Sequence, residues 1–258
     1  MIDLVKMLIL AFVQGISEWF PISSSGHLVL FSDLLGFNGG IQFDVALHFG
    51  TLMAVFVYFG KDIVDVVEAL LKGELKNENA KLGFLLIVAT IPAAVIGFVF
   101  KKLFEDAFNS LLIVGICFAI TSLVLFIASF YSSGNKQTPS YKDAWIIGFV
   151  QALAILPGIS RSGSTISAGV FRKIDLKKAM RFSFLMAIPA IFGASILELG
   201  TGTLPSSYAV PTLLTFAVGL ATIHILLKVV GNSRKNLMWF AVYELLIALV
   251  TIIYALVH

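Results

Sequence analysis

Two short blocks of this 258-residue chain carry side chains suited to gripping and transforming an anion. The first is Ser23-Ser24-Ser25-Gly26, with Glu18 five residues before it and His27 directly after it. The second is Ser160-Arg161-Ser162-Gly163-Ser164-Thr165. Each follows a Pro (Pro21, Pro157) and precedes an apolar run, the pattern of a turn that starts a helix. Ser at such a start caps unpaired backbone N–H groups, and the helix end adds partial positive charge. Two such ends facing each other make an anion trap. Arg161 adds a permanent cation whose planar fork matches phosphate oxygens. A carboxylate and an imidazole beside Ser hydroxyls form an acid/base set. The alternative is scaffolding: Ser residues that only cap half-helices, and Glu18 paired structurally with Arg161.

The composition fixes the medium in which these blocks work. Hydrophobic residues make up 59% of the chain and charged ones 13%, against about 25% charged in soluble domains. The mean hydropathy is +0.98. A soluble enzyme, a disordered chain and a disulfide-rich module are excluded, and a polytopic membrane protein remains. At about 20 residues per crossing, the length allows at most about eight. Cys117, the single cysteine, lies in an apolar run and reads as a packing residue.

Charge-poor apolar stretches over 45–60, 82–100, 111–130, 182–197, 210–227 and 237–257 predict six spans, the first and fourth extending into their flanks. The regions 1–35 and 144–171 differ. Each is interrupted by Pro, Ser and charge, and each predicts a re-entrant pair of half-helices, since broken backbone at membrane depth survives only inside protein or a polar cavity. A signal peptide is the alternative for the first, but Glu18, Trp19 and Phe20 stand where small cleavage-site residues belong. With this layout, fourteen of the 18 Lys and Arg fall on one face. That face is cytoplasmic, so both termini lie outside. The first pair dips in from outside and the second from inside.

An offset of 137 aligns the two pairs with seven identities in 18 positions, among them Gln14/Gln151, Ser23/Ser160, Ser25/Ser162 and Gly26/Gly163. The expected fold is therefore an all-α polytopic membrane protein built as an inverted-topology repeat. It forms one membrane domain with units at 1–131 and 141–258, each a re-entrant pair plus three transmembrane helices. Broken helices in such folds meet near the midplane and form the ligand site there. An anionic headgroup, most simply a phosphate, is the expected guest. Asp44 and His48 are four apart on one helix face; lining this cavity and plain packing suit them equally. Glu198, Glu244, His224 and His258 read as interfacial or structural.

GISEWFPISSSGHLVL (15–30) and LPGISRSGSTISAG (156–169) resemble the two signature motifs of the undecaprenyl-diphosphate phosphatase family, the bacitracin-resistance membrane proteins. FDVALHFGTLMAV (43–55) and RFSFLMAIPAIFGAS (181–195) follow the family pattern too, so the similarity covers nearly the whole chain. The resemblance implies hydrolysis of a long polyprenyl diphosphate to the monophosphate and inorganic phosphate. That reaction recycles the carrier lipid for cell-wall polymer synthesis and confers bacitracin resistance. The resemblance also implies a plasma-membrane location and a divalent cation, Mg or Ca. Its functional positions fall on Glu18, Ser23, Ser24, His27 and Arg161. Ser24 is the expected nucleophile with Ser23 second, His27 the general base or acid, and Glu18 its orienter or a ligand for the cation. Direct attack by water is the other chemistry. Ser23, Ser25, Gly26, Ser160, Ser162, Gly163, Ser164, Thr165 and Gln14 form the expected substrate-binding set.

Gln14 departs from the two-glutamate version of the motif, so Glu18 is the only motif carboxylate. Other membrane lipid phosphatases pair SGH with a later SR-x5-H, but the position six after Arg161 is Ser167. The expected partners are the lipid substrate, membrane lipid and a second copy in a homodimer, with no nucleic acid. A polyprenyl-phosphate transporter, alone or coupled to hydrolysis, is the alternative function, because many transporters share this architecture.

Overall fold

The computed structural model describes residues 2–74, 76–132, 134–199, 203–231 and 233–258, and all its regular structure among these is helical. The first broken hairpin is α1 (Ile2–Ser17) and α2 (Ser24–Leu35), joined by a turn containing Pro21. The second is α8 (Tyr141–Leu153) and α9 (Arg161–Phe171), joined across Pro157. The remaining helices are α3 (Gly40–Tyr58), α4 (Gly60–Leu71), α5 (Glu78–Val99), α6 (Lys101–Phe108), α7 (Leu111–Phe130), α10 (Leu176–Leu199), α11 (Ala209–Val229) and α12 (Leu237–Val257). Six of them, α3, α5, α7, α10, α11 and α12, are long and apolar enough to cross a membrane. These are the six expected spans, with α3 and α10 extended into their flanks as their short apolar cores require. The protein is a multi-pass membrane protein.

Helices α4 and α6 stand where the sequence suggested only loops. Each is a short two-faced helix that gains its order from a neighbour rather than from spanning length. Helix α4 buries Val66 and Ala69 against α5, and its Asp62 accepts a 2.7 Å bond from Arg181 of α10. Helix α6 buries Phe104 and Ala107. Pro92 and Pro189 lie inside α5 and α10 without ending them, because surrounding helices can accommodate the missing donor at membrane depth.

Each hairpin leans on a span from the other half of the chain. Helix α1 packs on α11, α8 packs on α5, α3 packs on α10, and α7 packs on α12. Close approach of the two breaks needs small residues. A Cβ on Gly26 would sit 2.7 Å from the Phe118 ring and 2.8 Å from the Gly158 backbone. Gly158 itself has φ +98°, a conformation side chains resist.

Of the two readings for Glu244, interfacial or structural, its burial fits the structural one. It is fully buried on α12, and neither carboxylate oxygen has a partner among the described residues. It stands seven residues in from Leu237, about 10 Å of helix.

One polar knot ties the second hairpin to the loops beside it. Asp143, fully buried, caps the start of α8 with Ser140 and accepts 2.7 Å and 2.8 Å bonds from Lys136 and Arg172. Burial alone would raise its pKa. The bonds from Lys136, the Ser140 backbone, Arg172 and the Ser140 hydroxyl outweigh that and hold it well below the usual carboxylate range. A carboxyl depressed in the folded state adds stability above its unfolded pKa and loses it as pH falls. Melting temperature should therefore fall as the medium is acidified below about pH 4. Asp143→Asn should lower stability at neutral pH by about 2 kcal/mol, since its two cationic partners are over a third exposed. It should also flatten that acid dependence. Thermal melts of both proteins between pH 3 and 7 check this.

Candidate active site

The two breaks are stitched directly to each other. Ser23 Oγ caps α2 by accepting from Gly26 N at 3.4 Å, and it also accepts from Gly158 N at 3.1 Å across the interface. Ser160 Oγ caps α9 by accepting from Gly163 N at 3.0 Å, while Ser162 Oγ donates to the Phe20 carbonyl at 2.9 Å. Thr121 of α7 locks the second turn, donating to Gly158 O at 2.9 Å and accepting from Ser160 N at 3.0 Å. The first residues of α2 and α9, Ser24 and Arg161, are thereby brought onto one carboxylate.

That carboxylate is Glu18, 6% exposed. Ser24 Oγ donates to its Oε2 at 2.6 Å, Arg161 Nη2 to its Oε1 at 2.5 Å, and Gln14 Nε2 to Oε2 at 3.1 Å. Gln14 thus serves as a neutral donor to the remaining Glu, one helical turn away. Arg161 is held from two more sides: its Nη1 lies 3.4 Å from the Ser183 carbonyl, and its guanidinium stands 5.5 Å from the centre of the Trp19 ring. Trp19 is fully buried and edge-on to Phe184 at 5.2 Å. The planar cation is therefore aimed by an aromatic face as well as by charge.

The other expected site residues divide by what engages them. Ser25 Oγ lies 3.4 Å from Ser23 Oγ, and Ser162 Oγ 3.3 Å from Ser160 Oγ. Thr165 donates to the Arg161 carbonyl at 2.7 Å and shares a 2.7 Å bond with Ser183. Ser164 is buried, its backbone N–H bonded to Ser160 O at 2.9 Å. Gly26 and Gly163 sit where the breaks meet. Ser23 adopts φ +28°, ψ +96°, a sparsely populated conformation of the kind held at functional turns.

His27 is not part of the Glu18 cluster. Its Nδ1 lies 2.8 Å from the Ser23 carbonyl, which requires Nδ1 to donate, and its Nε2 then accepts from Tyr243 Oη at 2.7 Å. The ring is stacked on Tyr243 and edge-on to Phe118. Both nitrogens are used, and the imidazole fixes the carbonyl that opens α2. The histidine beside Glu18 is His48 of α3, whose Nε2 is 3.7 Å from Glu18 Oε2. Its only signal in the sequence was its place on one helix face with Asp44. Trp19, Ser183 and Tyr243 also bear on the site, and no spacing rule marks them.

A resident divalent cation does not fit this arrangement. Both Glu18 oxygens face donors, with a guanidinium where a cation would have to lie. No group of three or more His, Cys, Asp and Glu side chains suited to a metal occurs among the described residues. Glu18 is instead paired with Arg161.

Comparison with known proteins places the whole chain in one family. Residues 7–250 match the family described as bacitracin resistance protein BacA. An undecaprenyl-diphosphatase of Methanosphaera stadtmanae is 38% identical over 277 residues, spanning 100% of both chains. One of Thermosipho africanus is 40% identical over 245 residues, covering 94% of this chain and 97% of that protein. One of Syntrophotalea carbinolica is 42% identical over 246 residues, covering 92% and 93%. The matched region contains both breaks and the Glu18–Ser24–Arg161 cluster, and the chain belongs to the bacitracin resistance protein BacA family.

Proposed function

We propose that this chain is an undecaprenyl-diphosphate phosphatase, cleaving a polyprenyl diphosphate into the monophosphate and inorganic phosphate. The observation that carries this is the convergence of Ser24, Glu18 and Arg161 where two Ser-capped helix starts meet. In the free protein Arg161 neutralises Glu18. When the diphosphate enters, Arg161 turns its fork to the terminal phosphate oxygens, and Glu18, freed of its cation, becomes a better acceptor for the Ser24 proton. Ser24 Oγ attacks the terminal phosphorus, the lipid monophosphate leaves, and water then releases phosphate from the serine. The partial positive charge at the two helix starts favours the charge that builds on the phosphoryl oxygens. Ser23 and Ser160 hold the turns, and His27 holds the α2 carbonyl that aims Ser24. A divalent cation carried by the diphosphate would offset its charge, with Arg161 and the two helix starts holding the phosphate oxygens themselves. The polyprenyl tail lies among exposed apolar side chains, such as Phe12 of α1 and Phe149 of α8, the half-helices that lead into the two breaks.

The reciprocal packing of α1 on α11 and α8 on α5 supports an inverted repeat of units 1–131 and 141–258 within one domain. The basic-residue bias supports termini outside and a site opening outward, where spent carrier lipid is recycled for cell-wall synthesis and bacitracin would meet its target. Ser206→Cys should react with an impermeant thiol reagent on intact cells, whereas Lys76→Cys should react only after lysis. The native Cys117 is buried and gives little background. The reverse labelling pattern would invert the orientation.

Phosphate release from a polyprenyl diphosphate by the purified protein in detergent tests the activity itself. Hydrolysis needs no sealed membrane. Lipid movement in sealed vesicles without phosphate release would identify a transporter instead.

A further inference from the structure

We infer that His48 is the proton acceptor behind Glu18, receiving the proton of the nucleophile through that carboxylate; the inference rests on the phosphatase reading above. An imidazole can take part in proton transfer only with a free nitrogen near the reacting groups. His27 lacks one, since Ser23 O and Tyr243 Oη take both of its nitrogens. His48 has one. Its Nδ1 lies 2.8 Å from the Asp44 carbonyl, so Nδ1 carries the proton and Nε2 is the basic nitrogen. That Nε2 stands 3.7 Å from Glu18 Oε2, the oxygen to which Ser24 Oγ donates at 2.6 Å. Ser24, Glu18 and His48 therefore form a line from a hydroxyl through a carboxylate to an imidazole.

The gap of 3.7 Å is longer than a hydrogen bond. Catalytic bonds are often long before substrate binds, and His48 has room to close this one, since its side chain is 27% exposed where Glu18 is 6% exposed. Withdrawal of Arg161 onto phosphate removes the charge that holds Glu18 away. The charged groups around His48 are Glu18 from the first break, Arg161 from α9, Asp44 on its own helix and Glu198 of α10, which acts on Asp44. Helix α11 contributes His224, bonded to Tyr58 ten residues further along α3, α1 contributes Lys6, which reaches Gly36, and α4 contributes Asp62, paired with Arg181.

The step balances. As the Ser24 Oγ–P bond forms and the P–O bond to the lipid monophosphate breaks, the serine proton passes to Glu18 and on to His48 Nε2, and from there to the departing monophosphate. In the second half, water gives a proton to His48, its oxygen bonds to phosphorus, the Oγ–P bond breaks, and Oγ recovers a proton through Glu18.

The test is kinetics of phosphate release in detergent for the wild type, His48→Gln and His48→Ala, with melting temperatures of each. His48→Gln should melt within a few degrees of the wild type and lose at least ~100-fold in kcat, with KM nearly unchanged. Added imidazole should restore part of kcat to His48→Ala. Retention of wild-type kcat in His48→Gln would overturn the assignment. So would a slow His48→Gln together with a His48→Ala that imidazole does not rescue. A wild type that releases no phosphate would overturn the phosphatase reading instead.

Discussion

Arg161→Lys is expected to lower kcat by at least ~100-fold, comparable to losing one well-placed anion donor, while the protein still folds. Lys keeps the charge and can still pair with Glu18, but it lacks the planar fork that grips two phosphoryl oxygens. It also loses the flat face that Arg161 presents to Trp19 at 5.5 Å. If Arg161 gathers charge that grows in the transition state, the deficit appears in kcat and not only in KM. If the Glu18–Arg161 pair is only a strut, the opposite pattern follows: near-normal turnover per folded molecule with a lower melting temperature. Specific activity and melting temperature measured on one purified preparation separate the two. The 2.5 Å pair with Glu18 is common to both accounts, so contact alone does not decide between them.

Ser24→Ala should abolish measurable turnover and leave stability nearly intact, whereas Ser23→Ala should do the reverse in part. The two hydroxyls differ in what holds them. Ser24 Oγ makes one described bond, to Glu18. Ser23 Oγ caps α2 and satisfies the buried Gly158 N–H, so its loss should cost about 1–2 kcal/mol and blunt activity through the turn. Full activity in Ser24→Ala would transfer the nucleophile role to Ser23 or to water.

The broken hairpins could be read from the sequence because Pro, Ser and charge interrupt apolar runs at matching places, and 23–26 and 160–165 do start helices α2 and α9. Helices α4 and α6 could not, because a short amphipathic helix depends on the neighbour it rests on, and spanning hydropathy is blind to it. Glu18, Ser24 and Arg161 were legible as a set because the chemistry needs all three residue types near one anion. The two histidines were not. His27 follows the serines by sequence, yet the first turn of α2 points it at Tyr243, which is 216 residues away. His48 reaches Glu18 only because α3 packs beside α1. Which imidazole faces a carboxylate is a property of helix packing, and no local spacing encodes it. Glu244 shows the same limit, since nothing near it in the chain says which face of α12 meets α7.

The most direct measurement follows a polyprenyl diphosphate labelled at its terminal phosphorus, incubated in detergent with purified wild type and Ser24→Ala. The wild type should convert the label into inorganic phosphate, one for each unlabelled lipid monophosphate formed, and Ser24→Ala should release none. No phosphate from the wild type, or wild-type release from Ser24→Ala, would contradict the site described here.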